Sequence, residues 1–400
     1  MSDRSIESVI DELLREGRLS RRGFVGRLGA GAFAVSGAAG LLSACGGVQG
    51  TGQAGPTATT ASHPAQKLTE IDFSNWPLYI DKDSLPEFER EFDVTVNYVD
   101  DINDNNEFFG KVREQLQRDQ SIDRDIVVLT DFMAARWVTS GYLEPIDKAN
   151  VPNVEANLIA TLRDPAWDPG RNFSAPWQAG MDGLGYNKAE TGRELTSFND
   201  IFLPEFKGRV SFLGEWRDSV GLTLQGMGVN TEDATLDDTM AAVEKIDEAN
   251  ASGQIRRFTG NDYTGDLTNG NLAIAVAYSG DVIQLKADNP DLEFLIPEEG
   301  GLIWADNMLI PEKAEHPYGA EVLMNYVYEP EIAAQIAAYV NYVTPVEGAQ
   351  AELEKTDPDL ASNQLIFPDE ETLAKLHPFP SLSAEEERQV EEAWQQVVGA

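Results

Sequence analysis

The feature that most constrains this chain is a regular alternation between two hydrophobic periods, which begins at residue 67. Short runs rich in β-branched and aromatic residues occur at residues 70–73, 94–99, 125–129, 209–213 and 272–277. Each run is followed by a longer segment with an amphipathic pattern, such as Leu85, Phe88 and Phe92 after the first run. The short runs predict strands and the longer segments predict helices. This alternation is typical of an α/β fold with a largely parallel sheet.

Two passages interrupt the alternation and predict where the chain crosses between lobes. The first is the Gly- and Pro-containing stretch at residues 164–187, and the second lies at residues 297–301. A chain of 400 residues, of which 42% are hydrophobic, is long enough for two domains. Residues 384–398 alternate charged and apolar side chains and predict a final amphipathic helix.

The composition excludes several classes of function. The 68 acidic residues against 30 basic ones give a net charge of −38 at pH 7, so nucleic acid is not expected as a partner. One cysteine and three histidines cannot provide a disulfide or a structural zinc site of the usual kind. The sequence has no P-loop, G-x-S-x-G or H-E-x-x-H motif, and we predict no catalytic residue, metal or cofactor.

The N-terminal part has the pattern of an export signal. Residues 28–44 are uncharged but rich in Gly and Ala, which makes them marginal as a membrane-spanning helix. The sequence SRRGF at residues 20–24 resembles a twin-arginine signal, and LSAC at residues 42–45 resembles a bacterial lipobox. The resemblance implies that residues 1–44 are a signal peptide and that Cys45 is lipidated. We therefore expect an exported protein of the cell envelope, anchored to the outer face of the cytoplasmic membrane.

Residues 45–66 are predicted to form a flexible linker between the lipid anchor and the folded part. Residues 46–66 contain no Asp, Glu, Lys or Arg and almost no bulky side chain, so they cannot bury enough surface to fold. A linker of this length would let the folded part move within roughly 25 Å of its anchor.

Three clusters combine aromatic side chains with carboxylates. They are residues 75–79, 215–218 and 300–311. The first cluster directly follows the first predicted strand, and ligands of open α/β sheets bind at the carboxyl ends of strands. The second follows the predicted strand that ends at Leu213. In the third, Asp306 lies two residues after Trp304, and a carboxylate buried there would be costly without a counter-charge. Asp306 is therefore a candidate to bind a cation.

Two acidic segments have structural alternatives. Glu215 and Asp218 are three positions apart and can face the same ligand on a helical turn. They can instead pair with Arg217 or cap a helix that begins near Ser219. The run DINDN at residues 101–105 starts like a calcium loop but lacks the required later Gly and Glu, so we interpret it as a helix cap.

Together with residues 330–333 and 341–345, the three clusters resemble the spermidine/putrescine-binding proteins of polyamine ABC transporters. The similarity runs in order from about residue 69 to about residue 350. It implies an α/β, two-lobed fold of the type II periplasmic-binding-protein kind, with central mixed sheets and a hinge. In that fold a ligand binds in the cleft between the lobes.

The resemblance also implies how the chain is divided. Residues 67–180 and 304–345 would form the first lobe, residues 181–303 the second, and residues 346–400 a C-terminal helical segment packed mainly on the second lobe. The implied ligand-binding residues are Trp76, Tyr79, Thr130, Phe132, Glu215, Asp218, Tyr278, Trp304, Asp306 and Tyr342.

A polyamine needs a particular kind of site, because it is a flexible methylene chain with ammonium groups at intervals. A buried ammonium loses several kcal/mol of hydration, which only a close, hydrogen-bonded partner offsets. We expect Asp306 to bind one end of the ligand and Glu215 with Asp218 to bind the other. Aromatic rings between them would flank the methylenes and add cation–π attraction.

Two positions that depart from the resemblance leave the length of the ligand open. Phe132 stands where the resemblance implies a tyrosine, which removes a hydroxyl that could orient an amine. Tyr278 stands where a tryptophan is frequent, which shrinks a stacking surface. Asp182, at the first predicted crossover, is a further candidate carboxylate.

The function implied by the resemblance is capture of putrescine or spermidine and delivery to a membrane permease and its ATPase, without covalent chemistry. One alternative is a binding protein for another organic cation or an amino acid. Another is an extracytoplasmic carbohydrate-active enzyme, which would need two carboxylates roughly 5 to 10 Å apart across a groove.

Overall fold

The computed structural model describes residues 61–380 and 382–399, and the strands of these residues form one mixed sheet. The predicted signal peptide, Cys45 and most of the predicted linker lie outside the described residues. The strands are β1 (Glu70–Ser74), β2 (Thr95–Val99), β3 (Ile126–Thr130), β4 (Ser174–Asn187), β5 (Val210–Leu213), β6 (Ile255–Thr259), β7 (Ile274–Tyr278), β8 (Leu292–Leu295), β9 (Gly301–Leu309) and β10 (Leu376–His377).

The helices of the described residues lie between the strands along the chain and after the last of them. They are α1 (Ser84–Phe92), α2 (Asn105–Gln117), α3 (Asp131–Ser140), α4 (Pro152–Asn157), α5 (Lys188–Thr191), α6 (Trp216–Gly226), α7 (Leu236–Ala251), α8 (Tyr263–Thr268), α9 (Ser279–Leu285), α10 (Pro317–Val327), α11 (Pro330–Val340), α12 (Ala349–Glu354), α13 (Pro358–Ala361), α14 (Glu370–Leu373) and α15 (Ala384–Val398). Short 3-10 helices lie at Lys148–Asn150, Ala160–Leu162, Phe198–Phe202 and Pro204–Phe206.

The strand order places two long strands at the centre of the molecule. The order is β2-β1-β3-β9-β4-β7-β5-β6, with β10 beside β9 and β8 beside β4. On one side β1 is parallel to β2 and β3, and on the other β5 is parallel to β6 and β7. The central strands β4 and β9 are antiparallel to each other. The predicted α/β class with mixed strands is confirmed, and the parallel pairs lie at the two sides.

The two central strands carry the chain between the lobes. β4 has 14 residues, all of them buried, and its pairing with β9 shifts between Pro176 and Ala179. Two large apolar cores lie on either side of this shift. The first includes residues from Ile71 to Trp177 and from Trp304 to Phe367, and the second includes residues from Leu184 to Leu302.

The C-terminal segment is divided between the lobes, which corrects the prediction that residues 346–400 pack mainly on the second. Leu353 and Phe367 belong to the first core, whereas Val390 and Trp394 belong to the second. Trp394 Nε1 also donates to the carbonyl oxygen of Gly214 at 2.5 Å. An amphipathic stripe shows that a helix is packed on one face, but it does not identify the partner surface.

The chain is already held against the first lobe at His63, which corrects the prediction that the linker extends to residue 66. His63 Nδ1 lies 2.6 Å from Oε1 of the buried Glu321. The backbone N–H of His63 donates to Asp147, and its carbonyl oxygen accepts from Asn150 Nδ2 at 2.8 Å. These side chains lie far along the chain, so the sequence around His63 gave no indication of them.

Within the described residues no helix combines the length and the apolar character needed to cross a membrane. The run at residues 101–105 contains a helix cap, as interpreted from the sequence. Asp104 accepts a 2.8 Å hydrogen bond from the backbone N–H of Glu107 and is the N-cap of α2.

Candidate binding site

A cavity lies between the lobes, at the ends of strands from both sides of the sheet. The ten residues predicted from the sequence all line it. Further lining residues are Pro77, Asn105, Asn261, Asp281 and Phe379. The structure thus brings the predicted residues to one place, while their contacts with a ligand stay predictions.

The first-lobe wall is built at the end of β1 and β3 around Asp306. Trp76 Nε1 donates to the carbonyl oxygen of Val128 at 3.0 Å, which fixes the indole at the carboxyl end of the sheet. The Tyr79 hydroxyl donates to Asp306 Oδ2 at 2.9 Å, and Thr130 Oγ1 donates to Asp306 Oδ1 at 2.7 Å. Asp306 is therefore oriented by one hydroxyl on each of its oxygens.

Burial dominates the electrostatics of Asp306. Its loss of hydration raises the pKa of the carboxyl to about 7, although the hydrogen bonds from Thr130 and Tyr79 act in the opposite direction. Among the described residues, no lysine, arginine or histidine forms an ion pair with it. A cation that entered the cavity would supply the missing counter-charge.

Glu215 faces the same cavity but already has an ionic partner. It is the N-cap of α6, and Oε1 accepts from Arg217 Nη1 at 3.0 Å. Oε2 accepts from Asn106 Nδ2 at 2.8 Å, which links α2 of the first lobe to the second lobe. Burial raises the pKa of Glu215 to about 7 despite the nearby guanidinium of Arg217. Both structural alternatives considered for this residue, capping and pairing with Arg217, are therefore present.

Arg217 joins the lobes through contacts with Glu215 and Phe132, two residues that line the cavity. Its guanidinium carbon lies 4.1 Å from the centre of the Phe132 ring, and Nη2 lies 3.1 Å from Glu387 on α15. Phe132 belongs to α3 of the first lobe, so this stacking contact spans the cleft. One face of the Phe132 ring is consequently covered by the protein itself.

Asp218 lines the second-lobe wall, and Asp182 lies behind it rather than on the cavity surface. Asp182 is on β4 directly opposite Tyr278 of β7, and Trp304 Nε1 donates to its Oδ1 at 2.5 Å. Burial raises the pKa of both aspartates, and for Asp218 the neighbouring Asp182 carboxyl adds to the increase. The sequence suggested Asp182 as a ligand, whereas the structure places Asp218 between it and the cavity.

Asp281 is a lining carboxylate that the sequence analysis missed. It accepts hydrogen bonds from Asn261 Nδ2 at 2.6 Å, the Tyr263 hydroxyl at 2.8 Å and the Tyr342 hydroxyl at 2.7 Å. Burial raises its pKa to about 6, although all three donors lower it. A signal was present, because Asp281 follows Tyr278 by three residues at the carboxyl end of β7, as Asp218 follows Glu215 after β5.

Aromatic rings line the cavity together with these carboxylates. Tyr79 and Tyr342 meet edge to face with ring centres 4.8 Å apart. Trp304 lies 5.8 Å from Tyr342 and 5.4 Å from Tyr278. The site can therefore hold an apolar chain between negatively charged ends.

Glycine permits this close packing at two points. A Cβ atom on Gly180 would lie 2.4 Å from the Trp304 ring. A Cβ atom on Gly280 would lie 2.2 Å from the Tyr342 ring. Any side chain at either position would push a ring out of the cavity wall.

Within the part of the chain that the structure describes, a group of potential metal ligands lies outside the cavity. Asp72, Asp125 and His316 bring their donor atoms within 4.8 Å of one another. Asp125 already accepts from the backbone N–H groups of Asp72 at 2.9 Å and of His316 at 2.7 Å. Its carboxylate therefore has a structural role in joining β1 to the start of α10.

Two lobes joined by continuous central strands, with a cavity between them, define the class of solute-binding proteins. The chain belongs to the bacterial extracellular solute-binding protein family, whose model matches residues 85–367. It is 29% identical over 364 residues to the "Putrescine-binding periplasmic protein SpuD" of Pseudomonas aeruginosa, which covers 86% of this chain and 95% of that protein. It is 24% identical over 317 residues to the "Spermidine/putrescine-binding periplasmic protein" of Salmonella typhimurium, which covers 79% of this chain and 88% of that protein.

The fold has solved counterparts. The spermidine/putrescine ABC transporter substrate-binding protein PotD from Streptococcus pneumoniae superposes with a TM-score of 0.66 at 24% identity. The match covers 82% of this chain and 98% of that one. The predicted two-lobed fold is thereby confirmed.

Proposed function

We propose that this protein is the extracytoplasmic substrate-binding component of an ABC transporter and that it binds putrescine or spermidine between its lobes. The observation that carries the proposal is that four carboxylates line the cavity, whereas none of its lining residues is a lysine or an arginine. Of the lining carboxylates, Glu215 alone has an arginine among its hydrogen-bond partners. The names of the relatives in Pseudomonas aeruginosa and Salmonella typhimurium support the same ligand class.

The geometry suggests how the ligand lies. One ammonium group would contact Asp306, which already holds the hydroxyls of Thr130 and Tyr79. Another would contact Asp218 or Asp281 on the second lobe. Methylene groups would then lie against the rings between them, with cation–π attraction of about 0.5 to 2 kcal/mol where a ring faces an ammonium.

The cellular context follows from the same proposal. Delivery to a membrane permease and its ATPase requires the protein to remain near the membrane. The lipobox-like residues 42–45 support lipidation at Cys45 and attachment to the outer face of the cytoplasmic membrane. The protein then acts by binding and release and performs no covalent chemistry.

Calorimetric titration of the purified protein separates this function from its alternatives. Putrescine or spermidine should bind with a dissociation constant in the micromolar range or below, whereas arginine and maltotriose should bind far more weakly. A response to arginine alone would favour an amino-acid receptor, and one to maltotriose alone would favour a carbohydrate-active protein. The absence of heat or thermal stabilisation at millimolar polyamine would refute the proposal.

A further inference from the structure

Two buried carboxyls, Asp182 and Asp218, meet behind the second-lobe wall of the cavity. Asp182 is fully buried on β4, and Asp218 is 3% exposed in the first turn of α6. Asp182 Oδ1 accepts from Trp304 Nε1. Asp182 Oδ2 is buried and accepts no N–H or O–H from any residue of the described ranges, while the Asp218 carboxyl lies within hydrogen-bonding reach.

Such a contact cannot persist as two bare carboxylates. An ionised carboxylate only accepts hydrogen bonds, so two of them in contact need a shared proton or a nearby cation. The charged and titratable groups around the pair are Asp104, Glu215, Arg217, Tyr263, Tyr278 and Asp306. Three of these groups are acidic, and Arg217 is the basic one. Its guanidinium pairs with Glu215 and Glu387, so it does not neutralise the charge of the Asp182–Asp218 pair.

Burial and mutual repulsion act in the same direction on this pair. They raise the pKa of Asp218 well above its usual value and also raise that of Asp182. The burial of both side chains and the unpartnered Oδ2 of Asp182 lead to the same expectation, because like charges in a low-dielectric interior cannot both ionise at low cost.

We propose that Asp182 is a positioning residue for ligand binding: in the unliganded protein it shares one proton with Asp218, and an ammonium group that contacts Asp218 displaces this proton to solvent. The inference rests on the proposed function for the identity of the cation, a primary ammonium of a polyamine. Asp182 acts through Asp218, because Asp218 and not Asp182 lines the cavity.

The proposal couples affinity to pH. Because binding expels a proton, the affinity increases as the pH rises through the range in which the unliganded pair loses that proton. Alkylammonium groups, like that of lysine, stay charged throughout this range. Burial also raises the pKa of Glu215, Asp281 and Asp306, so these carboxyls contribute to the total proton release. Only a difference between variants therefore isolates the contribution of Asp182 and Asp218.

The Asp182→Asn variant supplies that difference. Asparagine keeps the size of the side chain and an oxygen that can accept from Trp304 Nε1, and its amide can donate to Asp218. Asp218 then ionises without a shared proton. Asp168→Asn is the matched control, because Asp168 is a buried carboxylate of the first lobe that does not line the cavity.

Calorimetry with putrescine in buffers of different ionisation enthalpy, at pH 6, 7 and 8, measures both affinity and proton release. Relative to the wild type and the control, Asp182→Asn should release about one proton fewer between pH 6 and 7. The ratio of its dissociation constant to that of the wild type should rise by about tenfold from pH 6 to pH 8. An unchanged proton count together with a constant ratio would mean that Asp182 is merely structural.

A ligand-free measurement separates this inference from the proposed function. ¹³C NMR of the aspartate carboxyls should show, in addition to the titrations of Asp281 and Asp306, a further titration near neutral pH that is lost in Asp182→Asn. If this titration is present but putrescine does not bind, the shared proton stands and the polyamine function fails. If putrescine binds and no such titration is found, the function stands and the shared proton is refuted.

Discussion

Thr130 and Asp306 lie directly opposite each other on the antiparallel strands β3 and β9, and the Thr130 hydroxyl donates a 2.7 Å hydrogen bond to Asp306 Oδ1. The Asp306 carboxyl is thus held by the backbone of two neighbouring strands. A ligand group that approaches it meets a carboxylate whose rotamer is already selected, which reduces the entropy lost on binding.

Replacement of Asp306 by asparagine should weaken polyamine binding by more than about 2 kcal/mol, or roughly 30-fold. The neutral amide leaves a buried ammonium without its counter-charge, while the size of the side chain is unchanged. Calorimetric titration with putrescine and spermidine measures the effect. Thr130→Val is the matched variant, since it removes the hydroxyl that donates to Asp306 and accepts from Asn105 Nδ2 but keeps the Asp306 charge. Loss of the hydrogen bond to Asp306 should cost about 0.5 to 1.5 kcal/mol of affinity. Equal affinities for wild type and Asp306→Asn would reject the role of this residue.

Five strands on the two sides of the sheet could be predicted from the sequence because each is a short run of β-branched and aromatic residues between turn signals, whereas the edge strand β6 was missed. The five predicted runs correspond to β1, β2, β3, β5 and β7, with ends that differ by at most two residues. The central strand β4 was instead treated as an interruption, since Gly180, Gly183 and Gly185 usually disfavour strands. Tertiary contacts explain these glycines, because a Cβ on Gly183 would lie 2.2 Å from the carbonyl oxygen of Leu295.

The site could be predicted in part for a related reason. Its aromatic and acidic residues follow strand ends, and strand ends are visible in the sequence. The contact of Asp182 with Asp218 and the stacking of Arg217 on Phe132 join segments that are distant in the chain. Such pairs depend on how the lobes pack, and periodicity in one sequence carries no information about that packing.

Cys45→Ser should release the protein from the membrane fraction. A serine cannot receive the acyl chains that the lipobox-like sequence implies, and two chains are what give lasting attachment. Fractionation of cells, with detection of the protein in pellet and supernatant, measures the change. Ser43→Thr, two residues before the modified position, should stay in the pellet. Retention of Cys45→Ser in salt-washed membranes would contradict lipidation at this residue.

Gly280→Ala should reduce polyamine affinity by at least about tenfold. Its Cβ would lie 2.2 Å from the Tyr342 ring, so the ring must move and the hydrogen bond from its hydroxyl to Asp281 must break. Gly265→Ala in α8 is the matched control, because nothing lies within 4 Å of its added Cβ. The control should bind normally and gain up to about 1 kcal/mol of stability from helix propensity. A Gly280→Ala protein that bound as tightly as this control would show that the ring position is unimportant.

The unliganded protein should lose stability relative to its Asp306→Asn variant as the pH rises from about 4 to about 7. Burial raises the pKa of Asp306 from 3.8 to about 7 in the folded state. Between these values the folded protein holds a proton that the unfolded chain has released, so raising the pH favours unfolding. Asparagine has no such proton, and the difference should reach a few kcal/mol near pH 7.

Urea unfolding of both proteins at pH 5, 6 and 7 measures this difference. Subtracting the unfolding free energy of the variant from that of the wild type cancels the contributions of groups that both proteins share. One such group is His377, whose pKa is lowered by burial. Saturating putrescine should reverse the trend, because an ammonium beside the ionised Asp306 stabilises the charge that burial disfavours. A wild-type protein that gained stability relative to the variant as the pH rose would show that Asp306 is ionised without a ligand and already has a counter-charge.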